Sequence, residues 1–201
     1  MPSLTNFLLE KCTFQTFDET IIDSCTEFDC GHEDLNSFFK DDSQLYSKEL
    51  LGKSYCFTLD EFPEKIVCAF TISNDSIKVG DLPNARRAKV TKRIPREKTF
   101  KSYPAVLIGR LGVAKEYQGS QVSEQLMNFI KAWFIDGHNK TGCRYIVVDS
   151  YNEPKPINYY GKNGFETLFS TEDQEKKFLK VSQESCLKTR LLYFDLIILR
   201  S

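Results

Sequence analysis

The sequence has few of the residues from which metal and redox sites are usually built. Only two of its 201 residues are histidine, and its seven cysteines are scattered without a CxxC pair. We therefore expect reduced thiols, a cytoplasmic protein and no metal site. GxGxxG and GxxxxGKS/T are also absent, which argues against a dinucleotide-dependent dehydrogenase and a P-loop kinase.

Long apolar runs and an excess of one charge are missing as well. No apolar segment approaches the length of a membrane span, and the first residues lack a charged region before their short apolar run. We therefore expect neither a membrane span nor a secretory signal. Because the net charge is -1, the chain as a whole should not attract nucleic acid. A hydrophobic content of 41% suits a sizeable core in one domain, residues 1–201.

The stretch from Ala105 to Trp133 predicts a strand, a polar turn and a helix in succession. The segment Ala105–Val113 is mostly apolar, which is typical of a buried strand, and the turn that follows contains Gly119. Apolar residues then recur at helical spacing, namely Val122, Leu126, Phe129, Ile130 and Trp133. Because the first amides of a helix lack intrahelical acceptors, this geometry favours an anion, and we expect a phosphate-bearing cofactor here.

The remaining patterns predict an α/β fold with helices on both faces of a mixed sheet. Before the central stretch we expect a strand at Phe14–Phe17, a helix at His32–Lys48, and a hairpin formed by Ser54–Leu59 and Lys65–Ser73. After it we expect a strand at Arg144–Ser150, a helix near Ile157–Asn163, a polar insertion at residues 169–190 and a closing strand at Leu191–Leu199. The closing strand could also provide the edge of a homodimer.

A basic segment spans residues 85–101. It contains eight lysines and arginines between Arg86 and Lys101, and a single acid, Glu97. Two interpretations remain open: a solvated surface helix and loop, or a contact with a polyanion, either a cofactor phosphate or an RNA backbone. Phe100 is the only aromatic residue in this segment, so base stacking is not indicated.

Three motifs resemble the GNAT superfamily of acetyl-CoA-dependent N-acetyltransferases. IGRLGVAKEYQG at Ile108–Gly119 is similar to the family's fourth strand and the start of its pyrophosphate loop. YYGKNGF at Tyr159–Phe165 resembles its Tyr-x-x-x-Gly-Phe signature. FDCGHEDLNSFF at Phe28–Phe39 resembles a subgroup that includes the acetyltransferase toxins of toxin–antitoxin modules. The resemblance implies a GNAT-like, mixed but mostly antiparallel central sheet.

The same resemblance implies that acetyl-CoA is the co-substrate, held mainly by main-chain groups. Its pantetheine arm would pair with the strand at Leu111, Gly112 and Val113. Its pyrophosphate would lie on the backbone of the following turn, formed by Gln118, Gly119, Ser120, Gln121, Val122 and Ser123. This loop departs from the family pattern, because Gln121 and Ser123 stand where the family has small residues, mostly glycine.

For the chemistry, the resemblance implies that Tyr160 is the general acid that protonates the departing thiolate. The plainer interpretation of Tyr160 is a helix residue packed on the sheet. Glu153 matches an acidic position that some relatives carry seven residues before the tyrosine, and Asp149 is close to it in the chain. Either acid could be the general base or a structural residue, and water could also serve, since α-amino groups are partly neutral at pH 7.

Two further sets of residues have alternative interpretations. Arg110 interrupts an apolar strand and should have a defined partner, either an active-site group or a structural ion pair. Cys30 and His32 could form a thiol nucleophile pair, but we interpret them as the turn that enters a helix.

The leading hypothesis is an intracellular enzyme that acetylates an unidentified primary amine. A toxin-like enzyme acting on aminoacyl-tRNA, with RNA contacting Arg86–Lys101, is the first alternative, and an antitoxin partner would belong with it. The second alternative is a GNAT-like domain that binds its cofactor or a partner without turnover. Tyr160 favours an enzyme, whereas Gln121 favours the binding domain.

Overall fold

The computed structural model describes residues 6–95, 100–139 and 141–200. In this part of the chain seven strands form one sheet in the order β1-β2-β3-β4-β5-β7-β6. The strands are β1 (Cys12–Thr16), β2 (Lys53–Leu59), β3 (Ile66–Ile77), β4 (Tyr103–Val113), β5 (Tyr145–Tyr151), β6 (Glu166–Thr167) and β7 (Thr189–Asp195). The pairs β1–β2, β2–β3, β5–β7 and β6–β7 are antiparallel. The predicted mixed, mostly antiparallel α/β fold is confirmed.

Eight α-helices accompany these strands within the described residues. They are α1 (Phe7–Lys11), α2 (Glu19–Ser24), α3 (Glu33–Ser37), α4 (Ser43–Lys48), α5 (Asn84–Thr91), α6 (Val122–Ile135), α7 (Pro154–Lys162) and α8 (Glu172–Leu179). A π-helical turn, Phe38–Asp42, separates α3 from α4. Short 3₁₀ turns lie at Val79–Asp81, Lys115–Tyr117 and Leu196–Leu199.

The chain divides into two compact units, Met1–Ser73 with Ile108–Ile130 and Asn74–Leu107 with Lys131–Ser201. The core of the first unit is rich in aromatic residues. The ring centroids of Phe14 and Phe129 are 4.7 Å apart, and those of Phe17 and Phe39 are 5.4 Å apart. In the second unit the hydroxyl of the fully buried Tyr145 donates to the Val90 carbonyl at 2.9 Å. This bond satisfies a polar group that would otherwise be costly to bury.

Several predicted elements have different limits in the structure, including the strand predicted at Lys65–Ser73, which extends to Ile77. The first strand begins earlier, at Cys12, and the helix predicted at His32–Lys48 is interrupted by the π-helical turn. The helix predicted near Ile157 begins at Pro154, because proline is well tolerated in the first turn, where no intrahelical N–H bond is lost. The closing strand ends at Asp195, whose side chain accepts from the Ile197 amide and starts a 3₁₀ turn.

The segment predicted as a polar insertion, residues 169–190, contains a helix with buried charges. Glu175 on α8 is fully buried, and its carboxylate accepts from Arg190 Nε and from the Leu191 amide, both at 2.6 Å. Lys176 is also buried and donates to the Gln183 carbonyl at 3.0 Å. The bonds of Glu175 anchor the segment to the start of β7, so its polar composition does not make it a solvated loop.

Candidate functional site

In the first unit, the strand–turn–helix predicted at the centre of the sequence is present as the end of β4, the 3₁₀ turn and the start of α6. Gly119 lies in the turn with φ +75°, a conformation that favours glycine. A Cβ built on Gly119 meets no heavy atom within 4 Å. Glycine is therefore favoured at this position by the backbone conformation, and the space around it is open.

The turn presents backbone donors at the start of a long helix. Within the described parts of the chain, the N–H groups of Gly119, Ser120 and Gln121 have no acceptor. The next amide, that of Val122, donates to Ser120 Oγ at 3.3 Å, so the hydroxyl caps α6. Three successive free N–H groups before a 14-residue helix form the kind of turn that binds phosphate oxygens.

The side chain of Gln118 makes two hydrogen bonds that the sequence did not predict. Its Nε2 donates to the Cys30 carbonyl at 2.7 Å and to the Val113 carbonyl at 2.9 Å. Its backbone amide donates to the Lys115 carbonyl at 3.2 Å. Gln118 therefore uses its N–H groups to hold the turn, and its assignment as a cofactor-binding residue remains a prediction.

The two residues that depart from the family pattern have different exposures. Gln121 is exposed, and its carbonyl accepts from the Gln125 amide at 2.9 Å in the first turn of α6. Ser123 is half-buried. Because the Gln121 side chain extends from the surface, it can point away from a phosphate bound to the turn.

The three residues predicted to pair with pantetheine end β4. Leu111 is half-buried, and Gly112 and Val113 are buried. A Cβ on Gly112 would lie 3.1 Å from atoms of both Cys30 and Phe28. Glycine here thus allows the Phe28–Cys30 segment to pack directly on the strand.

Arg110 has no carboxylate partner among the described residues. Its guanidinium lies 5.0 Å from the ring centroid of Phe38, the first residue of the π-helical turn, and its Nη1 donates to the Gly109 carbonyl at 2.9 Å. Its Nε is buried without a hydrogen-bond partner in the described chain. Of the two partners predicted for Arg110, the structural ion pair is therefore not found in these residues.

In the second unit, Tyr160 lies half-buried on α7, and its phenol ring packs against two other aromatic rings. Its centroid is 5.1 Å from that of Tyr159 and 5.4 Å from that of Phe165. The Phe165 amide donates to the Tyr160 carbonyl at 3.0 Å, across the turn at Gly164, where φ is +80°. The Gly-Phe part of the signature therefore ends α7 and packs Phe165 on Tyr160.

Burial raises the pKa of the Tyr160 hydroxyl above its ordinary value. The phenol consequently keeps its proton throughout the neutral range, which is the state that a proton donor needs. The same shift makes it a weaker acid than a solvated tyrosine. Proton transfer from this phenol to a departing thiolate is therefore less favourable than from a solvated tyrosine, because a thiol is the stronger acid.

Glu153 and Asp149 lie on the segment that leads into α7. Glu153 is the exposed N-cap residue of α7, and its side chain makes no capping bond. It is seven residues from Tyr160, which corresponds to about 10 Å along a helix. Asp149 is an exposed residue of β5. Glu153 and Tyr160 are thus about two helical turns apart along the backbone.

The sequence interpretation missed one residue that holds the end of α7. Lys131 is 7% exposed, and its Nζ donates to the Asn163 carbonyl at 2.6 Å. The same Nζ lies 4.2 Å from the ring centroid of Phe194 and 5.8 Å from that of Phe165. The only sequence signal is a lysine next to the apolar stripe of α6.

The basic segment is partly committed to internal contacts. Arg86 is buried and donates to the carbonyls of Leu168 and Thr167. Arg87 donates to the Val79 and Gly80 carbonyls at 2.9 and 2.8 Å. Lys89 forms a 2.6 Å ion pair with Glu166. Arg87 and Lys89 are exposed despite these contacts, and Lys92, Arg93 and Lys101 are also exposed, whereas residues 96–99 of the predicted segment lie outside the described chain.

Cys30 does not have the surroundings of a nucleophile. Its side chain is buried, its Sγ lies 3.1 Å from Asn36 Oδ1, and burial raises the pKa of its thiol. His32 is the N-cap residue of α3, which agrees with the predicted helix-entry turn. Residues 6–95, 100–139 and 141–200 contain no cluster of three potential metal ligands. None of their helices is both long and apolar enough to cross a bilayer.

Comparisons with known proteins agree with this geometry. Residues 88–167 match the family model described as "Acetyltransferase (GNAT) domain". Comparison with curated proteins finds no match. Solved structures of similar fold include a tyrosine-to-phenylalanine mutant of KacT, with 20% identity, a TM-score of 0.69 and coverage of 95% of this chain and 98% of that chain.

Two further structures extend the likeness. One is AtaT complexed with acetyl-methionyl-tRNAfMet, with 18% identity, a TM-score of 0.63 and coverage of 94% and 97% of the two chains. The other is a mutant AtaT toxin bound to the C-terminus of the antitoxin AtaR and acetyl-CoA, with 18% identity, a TM-score of 0.58 and coverage of 96% and 99%. At these identities the structures establish a shared fold, and the predicted resemblance to GNAT acetyltransferases is confirmed.

Proposed function

We propose that this chain is an acetyltransferase that moves an acetyl group from acetyl-CoA to a primary amine, since residues 88–167 match the family model described as "Acetyltransferase (GNAT) domain". The observation that best supports this is the turn at Gly119–Gln121, whose three N–H groups have no acceptor in the described chain and precede α6. Such a turn suits the pyrophosphate of acetyl-CoA. AtaT, which has a similar fold, has been solved with acetyl-CoA bound.

In the proposed reaction the neutral amine attacks the thioester carbonyl carbon. A carbon–nitrogen bond forms, the carbon–sulfur bond breaks, and the amine loses a proton. Tyr160 gives its proton to the departing thiolate, and the protonated state that burial secures supports this role. Glu153 is the proposed general base, since it is exposed and carries no capping bond that would occupy its carboxylate.

The acceptor has two candidates. We prefer a small-molecule or protein amine, because three of the basic side chains that would attract RNA are engaged in internal contacts. The second candidate is the amino group of an aminoacyl-tRNA. It is supported by the exposed Lys92, Arg93 and Lys101 and by the RNA complex of AtaT. We also propose a homodimer and a cytoplasmic location, whichever acceptor is used. An antitoxin partner would belong with the aminoacyl-tRNA candidate.

A binding domain without turnover is the proposal's competitor, and Gln121 is the residue that favours it. If the side chain displaced the phosphates, acetyl-CoA would bind weakly or not at all. Its exposure supports the enzyme instead, because an exposed side chain can leave the turn open.

Activity measurements with Tyr160→Phe test the catalytic proposal. The assay follows free thiol release from acetyl-CoA with a panel of primary amines and aminoacyl-tRNA as acceptors. We expect Tyr160→Phe to lower kcat by about 100-fold or more, as for loss of a general acid, with little change in acetyl-CoA affinity. Tyr159→Phe, a change in the neighbouring ring, is the matched control. Equal activity of all three proteins would refute the role of Tyr160.

A further inference from the structure

The N-terminal signature Phe28–Phe39 has a structural relationship to the phosphate-binding turn that the proposed reaction does not use. Asp29 lies at the centre of it. Its Oδ2 accepts from Lys115 Nζ at 2.6 Å, and its carbonyl accepts from the Lys115 amide at 3.0 Å. Lys115 opens the 3₁₀ turn that precedes Gly119. The start of the turn is thus bonded to Asp29 through both its side chain and its backbone.

Asn36 fixes the conformation of the signature around Asp29. Its Nδ2 donates to Asp29 Oδ1 at 2.9 Å, and the same oxygen accepts from the Gly31 amide at 2.8 Å. Its Oδ1 accepts from the Cys30 amide at 2.9 Å. One amide side chain therefore determines where the Cys30 backbone lies.

Gln118 bonds to the backbone carbonyl of Cys30, whereas Asn36 bonds to its backbone amide. The two Nε2 hydrogens of Gln118 are shared between the Cys30 carbonyl and the Val113 carbonyl, at the end of β4. The close packing of Gly112 against Cys30 brings the strand and the signature into contact at the same point. The network therefore runs from Asp29 and Asn36 through Cys30 to Gln118, the residue directly before Gly119.

We propose that Asp29, Asn36 and Gln118 are positioning residues that hold the Gly119–Gln121 turn in the conformation that binds the phosphates of acetyl-CoA. None of the three side chains needs to touch the ligand, because the Asp29 carboxylate, the Asn36 amide and the Gln118 Nε2 are already bonded to one another or to the protein backbone. Without them, the free N–H groups of the turn would have to be ordered at the moment of binding, which weakens affinity. This inference rests on the proposed function, because it assigns the turn to acetyl-CoA.

The test compares Asn36→Ala, Gln118→Ala and their double variant by calorimetric titration with acetyl-CoA. We expect each single change to raise the Kd about tenfold, as for one lost hydrogen-bond contribution. Because both residues act through Cys30, the double variant should lose little more than either single variant. In steady-state assays KM for acetyl-CoA should rise, while kcat at saturation stays within about twofold.

Lys40→Ala is the matched control. It removes another exposed ion pair of the signature region, that between Lys40 and Glu27 at 2.9 Å, which has no bond to the turn. We expect its Kd to equal that of the unchanged protein. Single variants that fold and bind acetyl-CoA as tightly as the control would overturn the inference, and so would losses that multiply in the double variant.

Amide hydrogen exchange without ligand separates this inference from the proposed function. Exchange over residues 115–121 should accelerate in Asn36→Ala and Gln118→Ala and remain unchanged in Lys40→Ala. If the unchanged protein does not bind acetyl-CoA but the exchange pattern holds, the proposed function fails and the positioning network stands. If exchange in this segment is the same in all variants, the network does not hold the turn.

Discussion

The Nζ of Lys131 donates to the carbonyl of Asn163 at 2.6 Å, with the Lys131 side chain almost fully buried. Asn163 is the C-cap residue of α7, and its Nδ2 donates to the Tyr159 carbonyl at 2.9 Å. The lysine charge is therefore placed at the negative end of the helix that carries Tyr160. The bond fixes the end of α7 from outside the helix.

Replacing this lysine should destabilise the end of α7. In Lys131→Met the Asn163 carbonyl loses a charged donor, so we expect the free energy of unfolding to fall by about 1–3 kcal/mol, measured by urea denaturation. Lys162→Met, which removes an exposed lysine from the last turn of the same helix, is the control and should change stability by less than about 0.5 kcal/mol. Equal effects of the two variants would contradict a specific role for Lys131.

Arg86 on α5 and Lys92 at its C-cap should differ in their contribution to the stability of the fold. Arg86→Gln should lower the free energy of unfolding by about 2 kcal/mol, because two carbonyls beside the buried side chain lose their charged donor. Lys92→Gln is the matched charge change on the surface and should have almost no effect on stability.

The same variant tests the RNA candidate. In filter binding to aminoacyl-tRNA, Lys92→Gln should reduce the salt dependence of the RNA affinity if RNA is the acceptor. If Lys92→Gln binds RNA with the same affinity and the same salt dependence as the unchanged protein, the result would count against the RNA candidate.

The conformation of Gly119 predicts a graded series of variants. Gly119→Ala has space for its methyl group but must adopt φ +75°, so we expect a loss of about 1 kcal/mol in stability. Gly119→Asn should lose less, because asparagine tolerates this region better than alanine does. Thermal unfolding of the three proteins gives the order. A stability of Gly119→Ala equal to that of the unchanged protein would show that the positive φ is not needed.

The pH dependence of the reaction should reflect the acceptor and not Tyr160. Because burial raises the pKa of Tyr160 above its ordinary value near 10, the donor keeps its proton at all working pH values. We therefore expect kcat/KM for the amine to rise with pH as the acceptor loses its proton, with no fall below about pH 10. The profile is measured with a saturating acetyl donor. A decline near neutral pH would indicate a proton donor other than Tyr160.

A second pH prediction concerns the carboxylate of the positioning network. Lys115, Gly31 and Asn36 donate to Asp29 and lower its pKa to about 2. A depressed pKa stabilises the folded state above the unfolded value, about 3.9, and this contribution is lost only as pH falls through about 2. Acetyl-CoA affinity should therefore not change between pH 5 and 8 through Asp29, whereas Asp29→Asn should lower it throughout. A midpoint in that interval that disappears in Asp29→Asn would refute this account.

Periodicity and turn chemistry were sufficient to predict the elements that build the candidate site. The apolar spacing from Val122 to Trp133 predicted α6, and Gly119 predicted the turn before it, because both follow from local geometry. The start of α7 was missed, since Pro154 and Pro156 suit a first helical turn as well as a loop. The π-helical turn at Phe38–Asp42 has no local signature.

Contacts between residues distant in the sequence set the limit of prediction. Nothing local indicates that Gln118 donates to the Cys30 carbonyl, so the sequence placed the residue against a cofactor. The burial of Glu175 depends on Arg190 and on the β7 backbone, which a polar stretch does not reveal. Lys131 likewise acquires its partner only when the chain folds.

The most direct test of the proposed function is calorimetric titration with acetyl-CoA of the unchanged protein and of Gln121→Gly. We predict micromolar or tighter binding by the unchanged protein, with at most a modest gain in Gln121→Gly, because the Gln121 side chain is exposed and can leave the turn. Binding that appears only in Gln121→Gly would contradict the enzyme and support a domain whose phosphate turn is blocked. Absence of binding in both proteins would contradict the assignment of acetyl-CoA to the turn at Gly119–Gln121.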